Sequence, residues 1–554
     1  MVMLPTGKVM FWQYDASSTG LWDPVTEQFS AADLPLHNPF CSGHAWLPDG
    51  RLLVAGGHIQ NNVGEARANI YNPFTNTWAD SVPNMPNVPS TPTPPSDTAN
   101  RNGRWYPSAT TLGNGDVLVL SGDMDFAGNT NPLPQIYQAA TNTWRNLTTA
   151  YNVLPLYPRV FLAPNGSVYS LTDYGGNTER LDTEGTGSWA TISNTHFDGR
   201  ANYAPAVMYD TGKVVFIGGG DSPTATAEVI DLNLSNPSWS YTAGSMAQPR
   251  RQHNATILAD GTVLVTGGSS ASGFNTSAGQ VASVEIWDPA TGLFTPVVPT
   301  SSVYRGYHTT AMLLPDGRVI RAGGNHDSPN YTENRNAEIY SPAYLFKGPR
   351  PAVASAPDTA ELGRTFFVET PDAASIADVT FIVPGSVTHS QDWTQRANHL
   401  EFTEVEGGLA ITLPSNPNAA PPGYYMLFLI DDNGVPSVAE WVRATLPSPG
   451  LPGDFNLDGA VDAADYVVWR KGVGTSYTQA DYIDWQKHFG ESAVVGSGYF
   501  VEPTVSTLVP EPANLWLAVW GAGAMVIIRQ RTKRSEARTR RYLVCVKKFT
   551  NCGC

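Results

Sequence analysis

Residues Val303 to Asn325 read V-Y-R-G-Y-H-T-T-A-M-L-L-P-D-G-R-V-I-R-A-G-G-N. An adjacent tyrosine and histidine, Tyr307 and His308, lead into an apolar run, a Pro-Asp-Gly turn at Gly317, a second apolar run and the doublet Gly323-Gly324. Two apolar runs around such a turn predict a β-hairpin, because glycine supplies the positive φ that the tight connection needs. The hairpin is scaffold, whereas the pair before it carries groups with chemistry.

Working outward, the same hairpin recurs around Gly7, Gly50, Gly115, Gly166, Gly212 and Gly261, at intervals of roughly fifty residues. Most copies end in Gly-Gly or Gly-Asp, and several are followed by a third strand closing on an aromatic residue, as in I-Y-N-P-F-T-N-T-W to Trp78 and I-W-D-P-A-T-G-L-F to Phe294. This is the kelch pattern of four strands per blade, and seven copies close a ring with no long exposed sheet edge. The fold class is therefore all-β, with a seven-bladed kelch propeller over residues 1–346. Over 347–445 the doublets stop and alternating strands such as R-T-F-F-V-E-T predict an immunoglobulin-like β-sandwich. Residues 446–452, L-P-S-P-G-L-P, are a linker.

Composition agrees: 51 glycines, 44 prolines and 10% aromatic residues suit many short strands and tight turns. A formal charge of -16 excludes sequence-independent nucleic-acid binding, which needs clustered Lys and Arg. Of four cysteines, Cys545, Cys552 and Cys554 lie in the last ten residues, which leaves Cys41 without a disulfide partner in the globular part.

In 453–490, Asp454, Asn456, Asp458, Asp462 and Asp465, with the Ala460 carbonyl, take positions 1, 3, 5, 9, 12 and 7 of a calcium loop, and Gly459 takes the turn position. This small helical segment resembles a dockerin repeat, which implies bound calcium and a cohesin-like or envelope partner. Its second copy, Y-T-Q-A-D-Y-I-D-W-Q-K-H-F-G, keeps the helix and lacks most of the loop. Residues 509–534 carry V-P-E-P, an apolar run from Leu515 to Ile528 and the basic R-Q-R-T-K-R. That resembles a PEP-CTERM sorting signal, which implies export, with a C-terminal apolar helix inserted in the membrane before processing. The run is short of the roughly 17–25 residues of a stable span. A basic cysteine-containing tail fills 535–554. The N-terminus shows no basic region followed by an apolar run, so no signal peptide is visible, and the start is read as truncated within the first blade.

In a propeller the loops before the innermost strands converge on the axis, so distant residues can meet there. Cys41 precedes the second hairpin, Tyr106 the third and Tyr307 with His308 the seventh; His389, in S-V-T-H-S, follows a sandwich strand. Two imidazoles and two phenols form an N,O set of the kind Cu(II) favours. Taken singly, the cysteine reads as a small buried hydrophobe and Tyr106 as a core aromatic.

Jointly and in order, Cys41, W-Y-P at Trp105 to Pro107, Tyr307-His308, His389 and P-G-Y-Y-M-L-F resemble the galactose oxidase and glyoxal oxidase family of copper radical oxidases. The resemblance implies that Tyr106 is a copper ligand, cross-linked by a thioether to Cys41 and holding a radical. It further implies His308 and His389 as ligands, and Tyr307 as the axial ligand that takes the alcohol proton. The implied reaction oxidises a primary alcohol or hydrated aldehyde, with a carbohydrate also admitted, and reduces O2 to H2O2. Trp105 beside Tyr106 is the glyoxal oxidase-like arrangement; where galactose oxidase has its stacking tryptophan, this chain has Met124 nearest. Arg159 is a candidate for the substrate rim, and His44 and His58 are read as loop histidines. The competing reading is a non-catalytic kelch carbohydrate-binding or adhesion protein of the cell envelope.

Overall fold

The computed structural model describes residues 1–492 except 15–17, 80–81, 88–101, 172, 298–302, 327–331, 448–450, 457–459 and 474–476. Two compact units divide the chain, Met1–Pro449 and Gly450–Cys554.

Seven antiparallel sheets follow one another in chain order through the first unit, each built on one of the seven hairpins. The first has four strands, Val2–Met3, Val9–Trp12, Thr19–Trp22 and Phe29–Ala31. The next five also have four strands, and the seventh has three among the described residues, Thr309–Leu313, Val319–Gly323 and Ala337–Tyr340. Gly7, Gly50, Gly115, Gly166, Gly212, Gly261 and Gly317 all turn at φ between 71° and 85°, so each hairpin needs its glycine.

The second strands, such as Leu52–Ala55 and Val117–Leu120, are buried throughout because both faces of their sheets pack on neighbours. One core joins the second and third sheets through Leu53, Ala109 and Val119, and others continue to the fourth, fifth, sixth and seventh. The seventh packs back on the first through Met312, Ile320, Met3 and Val9, and the first on the second through Met10 and Leu52.

A buried basic residue before the innermost strand repeats as a staple. Arg200, Arg250 and Arg305 bond to Glu228, Glu285 and Glu338 on their own third strands, and to the carbonyls of Gly218, Gly267 and Gly323. The third sheet substitutes a neutral partner, Arg104 with Gln135, and the second uses His37 with Gly56 and Asn69. The Gly-Gly doublets make this possible: a Cβ on Gly267 would lie 2.2 Å from the Arg305 carbonyl oxygen. Sequence reading saw the doublets and missed the basic residue they accommodate.

Two further sheets, of five and three strands, share one core. Val368, Leu409 and Ile411 come from the three-stranded sheet, and Phe381, Leu427 and Val442 from the five-stranded one, so the two pack face to face. From this pair of sheets a hairpin, Val387–Thr388 with Gln391–Asp392, runs out among the seven, with His389 and Ser390 at its turn. The hairpin and its flanks bond to six of the seven sheets. Met3 N donates to Gly385 O, Trp46 Nε1 to Pro384 O, Arg396 to Leu162 O, Met208 N to Gln395 O, Gln395 Nε2 to Ala255 O, and Ser390 N to Thr309 O.

In the second unit two helices, Ala463–Gly472 and Gln479–His488, each begin with a capping box, from Asp462 with Asp465 and from Thr478 with Asp481. The Asp465 carboxylate is fully buried and accepts from the amides of Phe455, Asn456 and Asp462. Asp462 and Asp465 thus also cap the helix; among the described residues, which leave out Asp458, no group of three His, Cys, Asp or Glu is arranged to hold a metal. Asp458, the 509–534 sorting signal with its apolar helix, and the 535–554 tail lie outside the described residues. No helix among the described residues is long and apolar enough to cross a membrane.

Candidate functional site

Six consecutive sheets each place one non-glycine residue in the left-handed region at or just before the innermost strand. These are Cys41 (φ 64°), Tyr106 (67°), Tyr157 (50°), Tyr203 (63°), Gln252 (56°) and His308 (64°). His389 (51°) and Ser390 (66°), at the turn of the central hairpin, add two more. Such a conformation costs of order 1–3 kcal/mol per residue and persists where surrounding structure imposes it. Backbone bonds do so here: Tyr106 N donates to Cys41 O at 2.9 Å, Tyr157 N to Tyr106 O at 2.8 Å, and Gln252 N to Tyr203 O at 3.0 Å.

The result is convergence. Tyr106 Oη and Tyr307 Oη share a short hydrogen bond, although 201 residues separate them. Cys41 Sγ lies 3.7 Å from His389 Nε2, and the His308 and His389 rings meet edge to face at 4.3 Å. The His389 ring centroid is 4.5 Å from that of Tyr106 and 5.5 Å from that of Tyr307. All five residues expected from the sequence are thus in one cluster, and Cys41, Tyr106, Tyr307 and His389 are buried.

Trp105 stacks on Tyr106 at 3.8 Å and 21°, and Tyr157 stacks on it at 4.5 Å and 16°. Two near-parallel rings this close take opposite faces. Met124 instead packs with Leu133, away from this stack. The Tyr157 hydroxyl reaches His389 Nδ1 at 3.4 Å, and Thr388 Oγ1 is 2.7 Å from the same nitrogen. Sequence reading passed over Tyr157; its place before the fourth hairpin, like that of Tyr106 before the third, was the available signal.

Burial sets the electrostatics. It pushes the Cys41 thiol and the Tyr106 and Tyr157 phenols well above their usual values, and it lowers His308 to about 3 and His389 well below the usual imidazole range. In the protein alone Cys41, Tyr106, Tyr157 and both imidazoles are therefore neutral, and each imidazole keeps a lone pair. His308 Nε2 is buried with no hydrogen-bond partner, an orphaned donor atom that a metal bond would satisfy. Two neutral imidazoles with two phenols fit copper.

Arg159 is 5% exposed, and its guanidinium donates to the carbonyls of Tyr157, Ala201 and Ala204, tying the fourth sheet to the loop before the fifth. His44 and His58 are not loop residues. His44 stands on the strand Gly43–Trp46, fully buried, with Nδ1 3.0 Å from Ser386 Oγ, and His58 starts the strand His58–Gln60.

Residues 350–444 match the family model of the galactose oxidase-like early set domain. This galactose oxidase-like domain is the one that sends His389 into the cluster. The chain is also 28% identical over 492 residues to a WSC domain-containing protein of Arthroderma benhamiae, covering 82% of this chain and 52% of that one. It therefore spans about half the length of that relative. Galactose oxidase of Gibberella zeae is 26% identical over 489 residues, covering 79% of this chain and 68% of that one. Among solved structures, a fungal alcohol oxidase of the AA5 family in complex with copper is similar with a TM-score of 0.67 and 26% identity, over 79% of this chain and 93% of that one.

Proposed function

We propose that the protein is an exported copper radical oxidase that oxidises a primary alcohol or hydrated aldehyde and reduces O2 to H2O2. The observation that carries this reading is the meeting of Cys41, Tyr106, Tyr307, His308 and His389, supplied by three sheets and the central hairpin, around the orphaned His308 Nε2. A non-catalytic binding module has no use for that arrangement.

In this reading Tyr106, Tyr307, His308 and His389 would hold copper, which would supply a one-electron acceptor. Tyr106 would be joined through a ring carbon to Cys41 Sγ, the thiol S–H and the ring C–H being lost as two protons and two electrons to O2, and would carry the second oxidising equivalent. Tyr307, hydrogen-bonded to Tyr106, takes the proton of the substrate hydroxyl, and Tyr106 then takes a hydrogen atom from the substrate carbon. Trp105 and Tyr157 cover the Tyr106 ring and keep water from it. The closed cycle of seven sheets, joined by six shared cores, supports a seven-bladed propeller, and the paired sheets support an immunoglobulin-like domain after it. The spacing from Asp454 to Asp465 supports one calcium in the second unit.

Copper loading followed by denaturing electrophoresis tests the reading. The thioether closes a loop between residues 41 and 106 and changes mobility; Cys41→Ser removes the change. Absence of any copper-dependent shift in the unaltered chain would refute the assignment, as would a shift that survives Cys41→Ser.

A further inference from the structure

We propose that His58, with Tyr14 behind it, is a positioning residue that holds the Trp105 indole on Tyr106 and makes oxidised Tyr106 easier to reach; this rests on the oxidase reading above. Trp105 Nε1 lies 3.1 Å from His58 Nδ1, and His58 Nε2 lies 2.9 Å from Tyr14 Oη. An indole nitrogen can only donate. His58 Nδ1 therefore accepts, its single proton sits on Nε2, and Tyr14 Oη receives it. One indole bond thus fixes the tautomer of the whole relay.

The relay is anchored at its base. His58 N donates to Asn38 O at 3.1 Å, the strand His58–Gln60 pairs with Val63–Gly64, and a Cβ on the preceding Gly57 would lie 2.2 Å from Asn38 O. On the other side, Trp105 exchanges two backbone hydrogen bonds with Asp123, at 2.9 and 2.8 Å. The Trp105 backbone is held by the segment that follows Val117–Leu120, and the orientation of its ring by the separate two-stranded hairpin that carries His58.

The chemical effect follows from the donor's direction. An indole N–H bonded to an imidazole nitrogen gains electron density in its ring, and that ring lies 3.8 Å above Tyr106. An electron-rich face stabilises the electron-poor ring left when Tyr106 gives up one electron. With hexacyanoferrate(III) as the outside oxidant, that electron leaves as hexacyanoferrate(II), and any phenolic proton passes through Tyr307 to the buffer.

The test uses the copper-loaded full chain with the thioether confirmed by electrophoresis in each variant. Tyr106 oxidation is followed by absorbance against the hexacyanoferrate(III)/(II) ratio. His58→Leu is expected to require an about tenfold higher ratio at half-oxidation, equivalent to 59 mV for a one-electron couple. His58→Asn, which keeps an acceptor near the Nδ1 position, is expected within about threefold of the unaltered chain, and Tyr14→Phe between the two. In a Trp105→Phe background the effect of His58→Leu is expected to vanish, because the two changes remove one interaction. An unchanged ratio in both His58→Leu and Tyr14→Phe overturns the proposal, and so does a His58→Leu shift that persists undiminished with Trp105→Phe. If His58→Leu does not fold, the Tyr14→Phe and His58→Asn ratios decide. Failure of the unaltered chain to form the thioether would instead remove the oxidase reading beneath it.

Discussion

Replacing Thr388 by valine removes a hydroxyl and nothing else of consequence in size, and at the proposed copper site it would act through His389. The His389 Nε2 side faces Cys41 Sγ at 3.7 Å, whereas Nδ1 faces Thr388 Oγ1 at 2.7 Å and Tyr157 Oη at 3.4 Å. For Nε2 to ligate a metal as a neutral imidazole, Nδ1 must carry the proton and donate it, and the Thr388 oxygen is the shorter acceptor. Loss of such an outer partner costs about 10–100-fold in metal affinity, or about 1.4–2.8 kcal/mol. The Tyr157 contact is long and weak by comparison. Copper titration against a competing chelator should therefore show Thr388→Val weakened by about 10–100-fold, while Tyr157→Phe moves by less than about tenfold. Thermal unfolding of the metal-free protein controls for damage to the hairpin. A Thr388→Val affinity within about twofold of the unaltered chain, with intact folding, contradicts the 10–100-fold expectation and the idea that Thr388 orients the ligand.

Other consequences are open to measurement. Gly267→Ala forces a left-handed alanine (φ 73°) and places a Cβ 2.2 Å from the Arg305 carbonyl oxygen, so it should cost at least about 1–3 kcal/mol in thermal or denaturant unfolding; Gly324→Ala, with no atom nearer than 3.7 Å, should cost less. Burial lowers His37 to about 4 and His44 to about 3, so the folded state resists protons that the unfolded chain binds below about 6.5. The stability these neutral histidines contribute is complete above that pH and falls as pH drops toward 4 and then 3; His37→Asn should flatten the upper part of the decline in unfolding midpoint against pH. Calcium should raise the unfolding midpoint of the helix pair in the full chain and a calcium chelator should reverse it, with the response lost in Asp454→Ala.

The repeats were legible because each hairpin must solve the same local problem. A tight turn needs a glycine at positive φ, and a strand buried on both faces reads as a continuous apolar run. The site was legible in identity and not in geometry. Cys41, Tyr106, Tyr307, His308 and His389 stand in a recognisable order, yet nothing local in the chain says that Tyr106 and Tyr307 share a hydrogen bond across 201 residues. Tyr157, the contact between Trp105 and His58, and the Arg200–Glu228 staple escaped notice for one reason. Their partners are chosen by neighbouring strands and sheets, and a tyrosine or histidine before a strand looks alike whether it faces the axis or solvent.

By itself the sequence determined the hairpin repeat, the change of pattern near residue 347 and the set of groups able to bind copper, since these depend on local backbone geometry and on side-chain chemistry. The tertiary structure decided which of those groups meet. Left-handed residues such as Tyr106 and His308 keep their strained backbone only because the packed sheets and the inserted hairpin allow no other course. It also decided that His58 meets the Trp105 indole and that Arg159 donates to the carbonyls of Tyr157, Ala201 and Ala204, because burial and hydrogen-bond partners are properties of the assembled fold.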